Sequence, residues 1–298
     1  MTKLQANLLL FLAAIIWGFS FVAQRAGMEF VGPYTFNGIR FALGSISLIP
    51  FVYILKGQKS NYPKRETKPL IIGGLLAGSV LFIASSFQQV GIVYTSAGNA
   101  GFITTLYVII VPVLGLFLKH KINRQTWVGV FLAIIGLYLL SVKGDFSLGK
   151  GDSLVLISAF FFAVHVIIIG FYADKVNVIK ISIIQFAVCS LLSLVVALFT
   201  EEIVFSTLKQ AAIPILYGGL MSVGVAFTLQ VVAQRRAVAS HAAIILSFES
   251  LFALLGGWLI LNEGFTTRAL IGCGLMLVGL IVSQFDFESR FDSKSSRD

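Results

Sequence analysis

The chain contains ten long apolar runs separated by short polar segments. Crossing about 30 Å of hydrocarbon at about 1.5 Å per residue takes roughly 20 residues, and each run is close to that length. The runs lack the alternation of apolar and polar residues that a membrane β-barrel requires, so they predict helices. The predicted spans are Asn7–Gln24, Pro33–Leu55, Leu70–Gln89, Ser96–Leu118, Trp127–Val142, Ser153–Tyr172, Ile181–Phe199, Ala212–Gln234, Ser240–Leu261 and Arg268–Phe285.

The same arrangement of spans occurs twice. Residues Val238–Ser283 repeat the layout of Thr95–Ser141, with two apolar runs, a short polar hinge between them and glycines at matching places. A period of about half the chain predicts two five-helix units. We assign the first unit to residues 1–146, the second to residues 147–285, and a polar cytoplasmic tail to residues 286–298.

Composition agrees with a membrane class. Apolar residues make up 57% of the chain and charged residues 12%, and the mean hydropathy is +0.94. These values lie far from those of an ordinary soluble domain. The predicted fold class is all-α integral membrane, with ten transmembrane helices. The first run is expected to be retained, because no small-residue cleavage site ends it as in a signal peptide.

The net charge of +9 reflects membrane topology rather than nucleic-acid binding. When alternate loops are assigned to opposite sides, sixteen of the 22 Lys and Arg residues fall on one side and five on the other, and Arg40 lies within a span. The positive-inside rule then places both termini in the cytoplasm. We therefore expect a multi-pass protein of the inner, cytoplasmic membrane with no nucleic-acid partner.

An odd number of spans in each unit makes the second unit inverted relative to the first. The loops agree with this: the lysine-rich loop Lys56–Lys68 is assigned to the cytoplasm, and its counterpart carries Glu201 and Glu202 on the outside. Glu263, at the hinge before the last span, is also assigned to the outside. Inverted repeats supply two states open to opposite sides of the membrane, which is the geometric basis of alternating access.

Ionisable groups inside the spans are the main candidates for function, because each costs about 2.5 to 3.5 kcal/mol at the bilayer centre. Glu249 lies roughly 14 Å deep in the ninth span, and His165, Trp17 and Ser20 reach a similar depth. Arg40 lies about 10 Å from the outer surface, from where its side chain can extend outward or inward. We expect Glu249 to hold a proton while closed to water and to release it when a gate opens, with Arg40 or His165 as its charge partner.

Helical spacing places several polar residues on shared faces. Trp17, Ser20 and Gln24 follow the spacing i, i+3, i+7, and the facing polar stripes predict one internal cavity. For the hydroxyls and amides in these stripes, interhelical hydrogen bonding alone is the alternative interpretation. The predicted substrate-binding residues are Trp17, Ser20, Gln24, Asn99, Thr105, His165 and Glu249, with Glu249 also coupling protons, and the predicted gating or charge-partner residues are Arg40, Gln88 and Gln230.

No cofactor or metal motif occurs in the chain. We find no nucleotide-binding loop, zinc motif or nucleophile elbow, so we expect no cofactor, no metal and no enzyme activity. Cys189 and Cys273 lie within apolar spans, where we expect them to pack as free, buried residues rather than to form a disulfide. Gly74 and Gly78 form a GxxxG pattern, which predicts a close approach of two helices.

Three segments resemble the EamA-type transporters of the drug/metabolite transporter superfamily. They are Ala13–Gly27 (AAIIWGFSFVAQRAG), Tyr94–Leu118 (YTSAGNAGFITTLYVIIVPVLGLFL) and Leu251–Gly279 (LFALLGGWLILNEGFTTRALIGCGLMLVG). The resemblance covers both halves of the chain. It implies ten helices, cytoplasmic termini and a central cavity, with the fifth and tenth helices at the periphery. It also implies small metabolites or amino acids as cargo.

We therefore predict a secondary transporter, either an exporter or an exchanger, that moves a small metabolite, amino acid or amphipathic compound by alternating access. One alternative is an exchanger of phosphorylated or nucleotide-linked metabolites, which a single arginine in the spans disfavours. Another is an integral-membrane enzyme that uses His165 as a base. The predicted partners are a small-molecule substrate and the lipid bilayer, and a homo-oligomer is compatible with the sequence.

Overall fold

The computed structural model describes residues 2–54, 67–115, 124–143, 147–173, 175–234 and 245–283. Their fold is helical apart from one short strand pair. The helices are α1 Lys3–Gly27, α2 Pro33–Ile54, α3 Thr67–Val93, α4 Ala97–Thr105, α5 Tyr107–Gly115, α6 Arg124–Ser141, α7 Lys150–Ala173, α8 Val178–Thr200, α9 Phe205–Gln210, α10 Ala212–Leu216, α11 Phe227–Gln234, α12 Glu249–Leu261 and α13 Thr267–Ser283. A π-helical segment, Tyr217–Ala226, joins α10 to α11, and strands β1 Val142–Lys143 and β2 Ser147–Leu148 pair antiparallel.

Seven helices of the described chain are long and apolar enough to cross a bilayer. They are Leu4–Gly27, Pro33–Ile54, Thr67–Val93, Ala97–Gly115, Lys150–Tyr172, Val178–Thr200 and Ala212–Gln230, and the shorter apolar helices are Arg124–Leu140, Ile245–Leu261 and Thr267–Ser283. The predicted all-helical, multi-pass membrane class is confirmed, whereas the count of ten spans stays a prediction. Residues 55–66, which form most of the lysine-rich loop Lys56–Lys68, and the polar tail 286–298 lie outside the described residues.

Three of the interior spans are irregular. The predicted fourth span is two helices, because α4 ends at Thr105 and α5 begins after Leu106. The Thr105 hydroxyl donates to the carbonyl oxygen of Gly101 at 2.7 Å, and such side-chain bonds bend helices. The eighth span contains the π-helical segment, and in the ninth span α12 begins at Glu249 after a turn. Interrupted helices of this kind often line binding sites in membrane proteins.

The fifth and tenth predicted spans, α6 and α13, pack along each other. Gly129 and Gly136 on α6 correspond in the sequence repeat to Gly272 and Gly279 on α13. A Cβ added to Gly129 would lie 2.5 Å from the carbonyl oxygen of Gly279, and one added to Gly136 would lie 2.6 Å from that of Gly272. The same close approach occurs in the reverse direction, from α13 to α6. The backbones therefore touch at two equivalent crossings, as small residues allow in membranes.

The remaining spans pack around the interior. α1 contacts α12 and the π-helical segment, α3 contacts α7 and α8, α2 contacts α8, and α4 contacts α12. On α3, a Cβ added to Gly74 would lie 2.5 Å from the Ile184 side chain, and one added to Gly78 would lie 2.8 Å from the Gln185 carbonyl oxygen. The predicted GxxxG contact therefore joins α3 to α8. Cys189 and Cys273 are free and buried, which confirms the sequence expectation.

Two acidic side chains cap the N-termini of helices that are distant from them in the sequence. The Glu201 carboxylate accepts hydrogen bonds from the backbone N–H groups of Tyr34 and Thr35, each at 2.8 Å, at the start of α2. The Glu263 carboxylate accepts from the N–H groups of Ala97 at 2.7 Å and Gly98 at 3.3 Å, at the start of α4. These N–H groups have no partner within their own helix, and a negative charge there also favours the helix dipole.

Candidate functional site

An internal cavity of about 670 Å³ lies between the two halves of the chain. Its walls come from α1 to α5 on one side and from α7, α8, the π-helical segment, α11 and α12 on the other. Apolar and aromatic side chains dominate, with polar groups at a few places, as in many binding sites for small molecules. The polar or amphipathic lining residues are Trp17, Ser20, Gln24, Arg40, Gln88, Thr104, Tyr107, His165, Gln185, Ser222, Gln230 and Glu249. Neither α6 nor α13 contributes a lining residue.

Most of the residues selected from the sequence lie in this cavity. They are Trp17, Ser20, Gln24, Arg40, Gln88, His165, Gln230 and Glu249. Thr105 is fully buried behind the wall, where its hydroxyl lies 3.3 Å from Glu249 Oε1. Asn99 does not line the cavity. It sits in the first turn of α4, because Ser96 caps that helix, and its amide nitrogen lies 3.4 Å from a carboxylate oxygen of Asp152.

Glu249 is 5% exposed and lines the cavity from the first residue of α12. Its hydrogen-bond partner is the Thr105 hydroxyl, which also reaches the carbonyl oxygen of Gly101 at 2.7 Å. A hydroxyl has one proton to donate, so it is shared between the carbonyl and the carboxyl. Tyr107 lines the same cavity. Within the part of the chain that the structure describes, the Glu249 carboxyl therefore has one weak polar contact and no bonded counter-charge.

His165 and Arg40, the two charge partners considered for Glu249, have other partners. His165 Nε2 lies 2.7 Å from Gln185 Oε1, a hydrogen bond that joins α7 to α8. Arg40 Nε donates to Asn37 Oδ1 at 2.9 Å, within α2. The guanidinium carbon of Arg40 also lies 4.7 Å from the centroid of the Phe41 ring. Arg40 is 5% exposed and lines the cavity, so its side chain extends inward rather than to the outer surface.

Trp17 is held in place by a bond across the cavity wall. Its indole N–H donates to the carbonyl oxygen of Ser222 at 3.0 Å, in the π-helical segment. The Tyr217 hydroxyl in the same segment donates to the carbonyl oxygen of Ile16 at 3.0 Å. These two bonds join α1 to the eighth span. The indole therefore presents its ring, and not a free donor, to the cavity.

Buried polar side chains line the end of the cavity near Arg40. The exposed fractions of Gln24, Arg40, Gln88 and Thr104 are all 5% or less. The Gln88 amide nitrogen donates to the Thr104 hydroxyl at 3.0 Å, joining α3 to α4. The Gln89 amide nitrogen donates to the carbonyl oxygen of Gln24 at 3.3 Å, joining α3 to α1. Two hydrogen bonds therefore tie α3 to its neighbours at this end of the cavity.

Sequence reasoning missed Gln185 and Asp152. Gln185 shares a helix face with Ser182 and Ser193, at the spacing i, i+3, i+11, and this stripe on the seventh span could have identified it. Asp152 is buried at the start of α7, where it accepts a hydrogen bond from the Thr95 hydroxyl. In the sequence it lies beside a linker, so its depth was not evident. Within the described chain, no group of three His, Cys, Asp or Glu side chains is placed to hold a metal ion.

Comparison with known proteins identifies the family. The model of the EamA-like transporter family matches residues 4–142 and again residues 149–285. An uncharacterized transporter of Archaeoglobus fulgidus is 32% identical over 94% of this chain and 86% of its own. The uncharacterized transporter YoaV of Bacillus subtilis is 24% identical over 93% of this chain and 95% of its own. One crystal structure shares the fold with a TM-score of 0.69 at 16% identity, over the full length of both chains. The chain belongs to the EamA-like transporter family.

Proposed function

We propose that the protein is a secondary transporter, an exporter or exchanger, that carries a small metabolite, amino acid or amphipathic compound through this cavity by alternating access. The observation that carries the proposal is the cavity itself, which is enclosed between the two regions matched by the family model. A space of about 670 Å³ is large enough for a small organic molecule. Its mixture of aromatic walls and a few polar groups suits a selective site.

We further propose that the two halves, residues 1–146 and 147–285, form inverted five-helix repeats. The two matches to the family model and the reciprocal glycine crossings of α6 and α13 support this. The main helix contacts also keep their pattern when the halves are exchanged: α3 packs on α7 and α8, and the π-helical segment packs on α1 and α2. Two related halves around one site supply the second state, open to the outside, that alternating access requires.

Transport itself is tested by solute efflux. Proteoliposomes loaded with a mixture of small metabolites should release at least one compound faster than liposomes that contain an unrelated membrane protein. Mass spectrometry of the external medium measures the release of every compound at once. Equal release of all compounds from both preparations would contradict transport. Formation of a new product without release would favour the enzyme alternative.

The proposed topology places both termini and residues 55–66 on the cytoplasmic side of the inner membrane. Single cysteines at Ser60 and Ser293 should react with a membrane-impermeant thiol reagent only from the cytoplasmic side, and one at Ser206 only from the outside. Because Cys189 and Cys273 are buried, they should add little background. Ser206 is exposed in the structure, so it reports on topology directly. Labelling of Ser60 and Ser206 from one side would exclude the inverted arrangement.

A further inference from the structure

We propose that Arg40 is the binding site for a carboxylate group of the cargo. The proposal rests on the transport function above and narrows it, because it makes the cargo an organic monocarboxylate with an apolar body. The carboxylate would lie at the Arg40 end of the cavity, which the proposed topology places outside, and the body would lie against the aromatic walls. Hydrogen-bond geometry, charge balance and the composition of the walls each support this assignment.

The guanidinium of Arg40 has donors that the protein does not use. A guanidinium carries five N–H groups in a fixed fork. The Nε–H group donates to Asn37 Oδ1 at 2.9 Å, and the four Nη N–H groups have no acceptor among the described residues. Arg40 is nevertheless 95% buried and lines the cavity. The free N–H groups are therefore available to a ligand in the cavity, where a carboxylate can accept hydrogen bonds from two of them side by side.

The orientation of the fork is fixed before a ligand arrives. Asn37 Nδ2 donates to the carbonyl oxygen of Ser85 at 3.0 Å, which leaves the Asn37 oxygen directed at Arg40 Nε. The Phe41 and Phe36 rings lie 4.7 Å and 5.8 Å from the guanidinium carbon. Because Asn37, Phe41 and Phe36 already surround the Arg40 side chain, it loses little conformational freedom when a ligand binds. The affinity of the site for that ligand is therefore higher.

Among the described residues, no carboxylate is paired with the charge of Arg40. Glu249 is bonded to Thr105 rather than to Arg40, and His165 is bonded to Gln185. A buried cation without a paired anion is costly, and this cost is recovered when an anionic ligand binds. The Phe36 and Phe41 rings alone compensate only part of this cost.

One arginine favours a monocarboxylate over a phosphate. No other lining residue of the described chain is a Lys or Arg, and a dianion is held best by several cations. The walls near Arg40 are aromatic: the Phe41 and Phe186 rings stack at 5.9 Å between centroids, and Phe186 and Phe227 meet edge to face at 5.5 Å. These surfaces suit a ligand with an apolar or aromatic body.

Paired probes that differ only in the anion test the proposal. We would measure binding of benzoate, 3-phenylpropionate and octanoate, each beside its primary amide, and of inorganic phosphate, to the purified full-length protein by titration calorimetry. At least one carboxylate should bind about tenfold or more tightly than its amide. Only the carboxylate pairs a negative charge with the Arg40 guanidinium while it accepts two hydrogen bonds from it. Arg40→Gln should abolish this preference without weakening amide binding. Arg40→Lys should keep part of it.

Arg25→Gln is the matched control, since Arg25 ends α1 on the same side but does not line the cavity. It should bind the probes as the wild type does. The proposal is overturned if no carboxylate is preferred over its amide by the wild type, if the preference survives in Arg40→Gln, or if phosphate binds more tightly than every carboxylate. If Arg40→Gln does not fold, the wild-type comparison and Arg40→Lys still decide. Carboxylate preference without flux in liposomes would refute transport alone, and flux without the preference would refute the Arg40 site alone.

Discussion

We expect the Glu249→Gln variant to lose the pH dependence of transport while it continues to move solute. Glu249 lines the cavity with no counter-charge bonded to it among the described residues, and its partner is a hydroxyl that it shares with a backbone carbonyl. A carboxyl in such a position is stable in its protonated form when closed to water, and it ionises when the cavity opens. Glutamine preserves the shape and the bond to Thr105 but has no proton to exchange.

Efflux from proteoliposomes at a series of external pH values measures this effect. Where a single carboxyl controls the rate, wild-type efflux should change by up to roughly tenfold per pH unit. The Glu249→Gln rate should stay constant within about twofold over the same series, because no other acidic group lines the cavity in the described chain. Glu202→Gln, which changes an exposed carboxyl in a loop, is the control and should behave as the wild type does.

The opposite outcome is informative. An active Glu249→Gln variant with wild-type pH dependence would exclude proton coupling at this residue. The other titratable side chains that line the cavity in the described chain are Tyr107, His165 and Arg40. His165→Gln would then identify the histidine as the titrating group if it removed the dependence.

The second large effect is expected where α6 crosses α13. A Cβ added to Gly272 would lie 2.6 Å from the carbonyl oxygen of Gly136 and 2.9 Å from the backbone nitrogen of Leu140. Gly272→Val therefore forces the two helices apart, and we expect it to lower the free energy of unfolding by about 1–3 kcal/mol or more. Gly274→Val is the matched control on the same helix, because no atom lies within 4 Å of a Cβ at Gly274.

Thermal unfolding of the detergent-solubilised variants compares the two positions directly. Gly272→Val should unfold at a clearly lower temperature than the wild type, and Gly274→Val should stay close to it. Equal stability of the two variants would show that α6 and α13 do not touch as the structure has them.

The apolar runs were sufficient to locate the helices but not their interruptions. Pro33 begins α2 as predicted, because proline fits the first turn of a helix. The break at Leu106 and the π-helical segment leave no such signal. They depend on side-chain bonds and on packing between distant helices, such as the bond from Trp17 to the carbonyl oxygen of Ser222. Single-sequence patterns do not contain those contacts.

Polar stripes identified helix faces better than they identified the cavity. Trp17, Ser20 and Gln24 all line it. Ser158, His165 and Tyr172 also share a helix face by their spacing of seven residues. However, the Ser158 hydroxyl donates to the carbonyl oxygen of Val155 in its own helix, and Tyr172 packs beside Gly73. A stripe marks the side of a helix that faces protein, and only the packing of neighbouring helices decides which part of it faces the cavity.

The direction of Arg40 shows the same limit. The depth of Arg40 in the membrane did not decide between the two directions, because a long side chain at that depth can reach either the outer surface or the interior. The inward direction depends on Asn37, whose amide is oriented by the carbonyl oxygen of Ser85 on α3. A contact between two spans therefore decides the most chemically significant feature of the cavity.

A reversible lock on the end of the cavity that the proposed topology places outside gives the most direct test of transport through this cavity. The Thr95 hydroxyl bonds to the Asp152 carboxylate there, and the backbone of Gly151 packs against Tyr94 and Thr95, so these segments of the two halves touch. Cysteines at Thr95 and Asp152, with Cys189 and Cys273 replaced by alanine, are close enough to be joined by oxidation or by a short bifunctional thiol reagent.

Solute efflux from proteoliposomes is then measured before joining, after joining and after reduction, with the single variant Thr95→Cys as the control. Alternating access requires the outer end to open, so efflux should stop when the cysteines are joined and return when they are reduced. The single variant should transport throughout. Undiminished efflux from fully joined protein would contradict transport by alternate opening of this cavity.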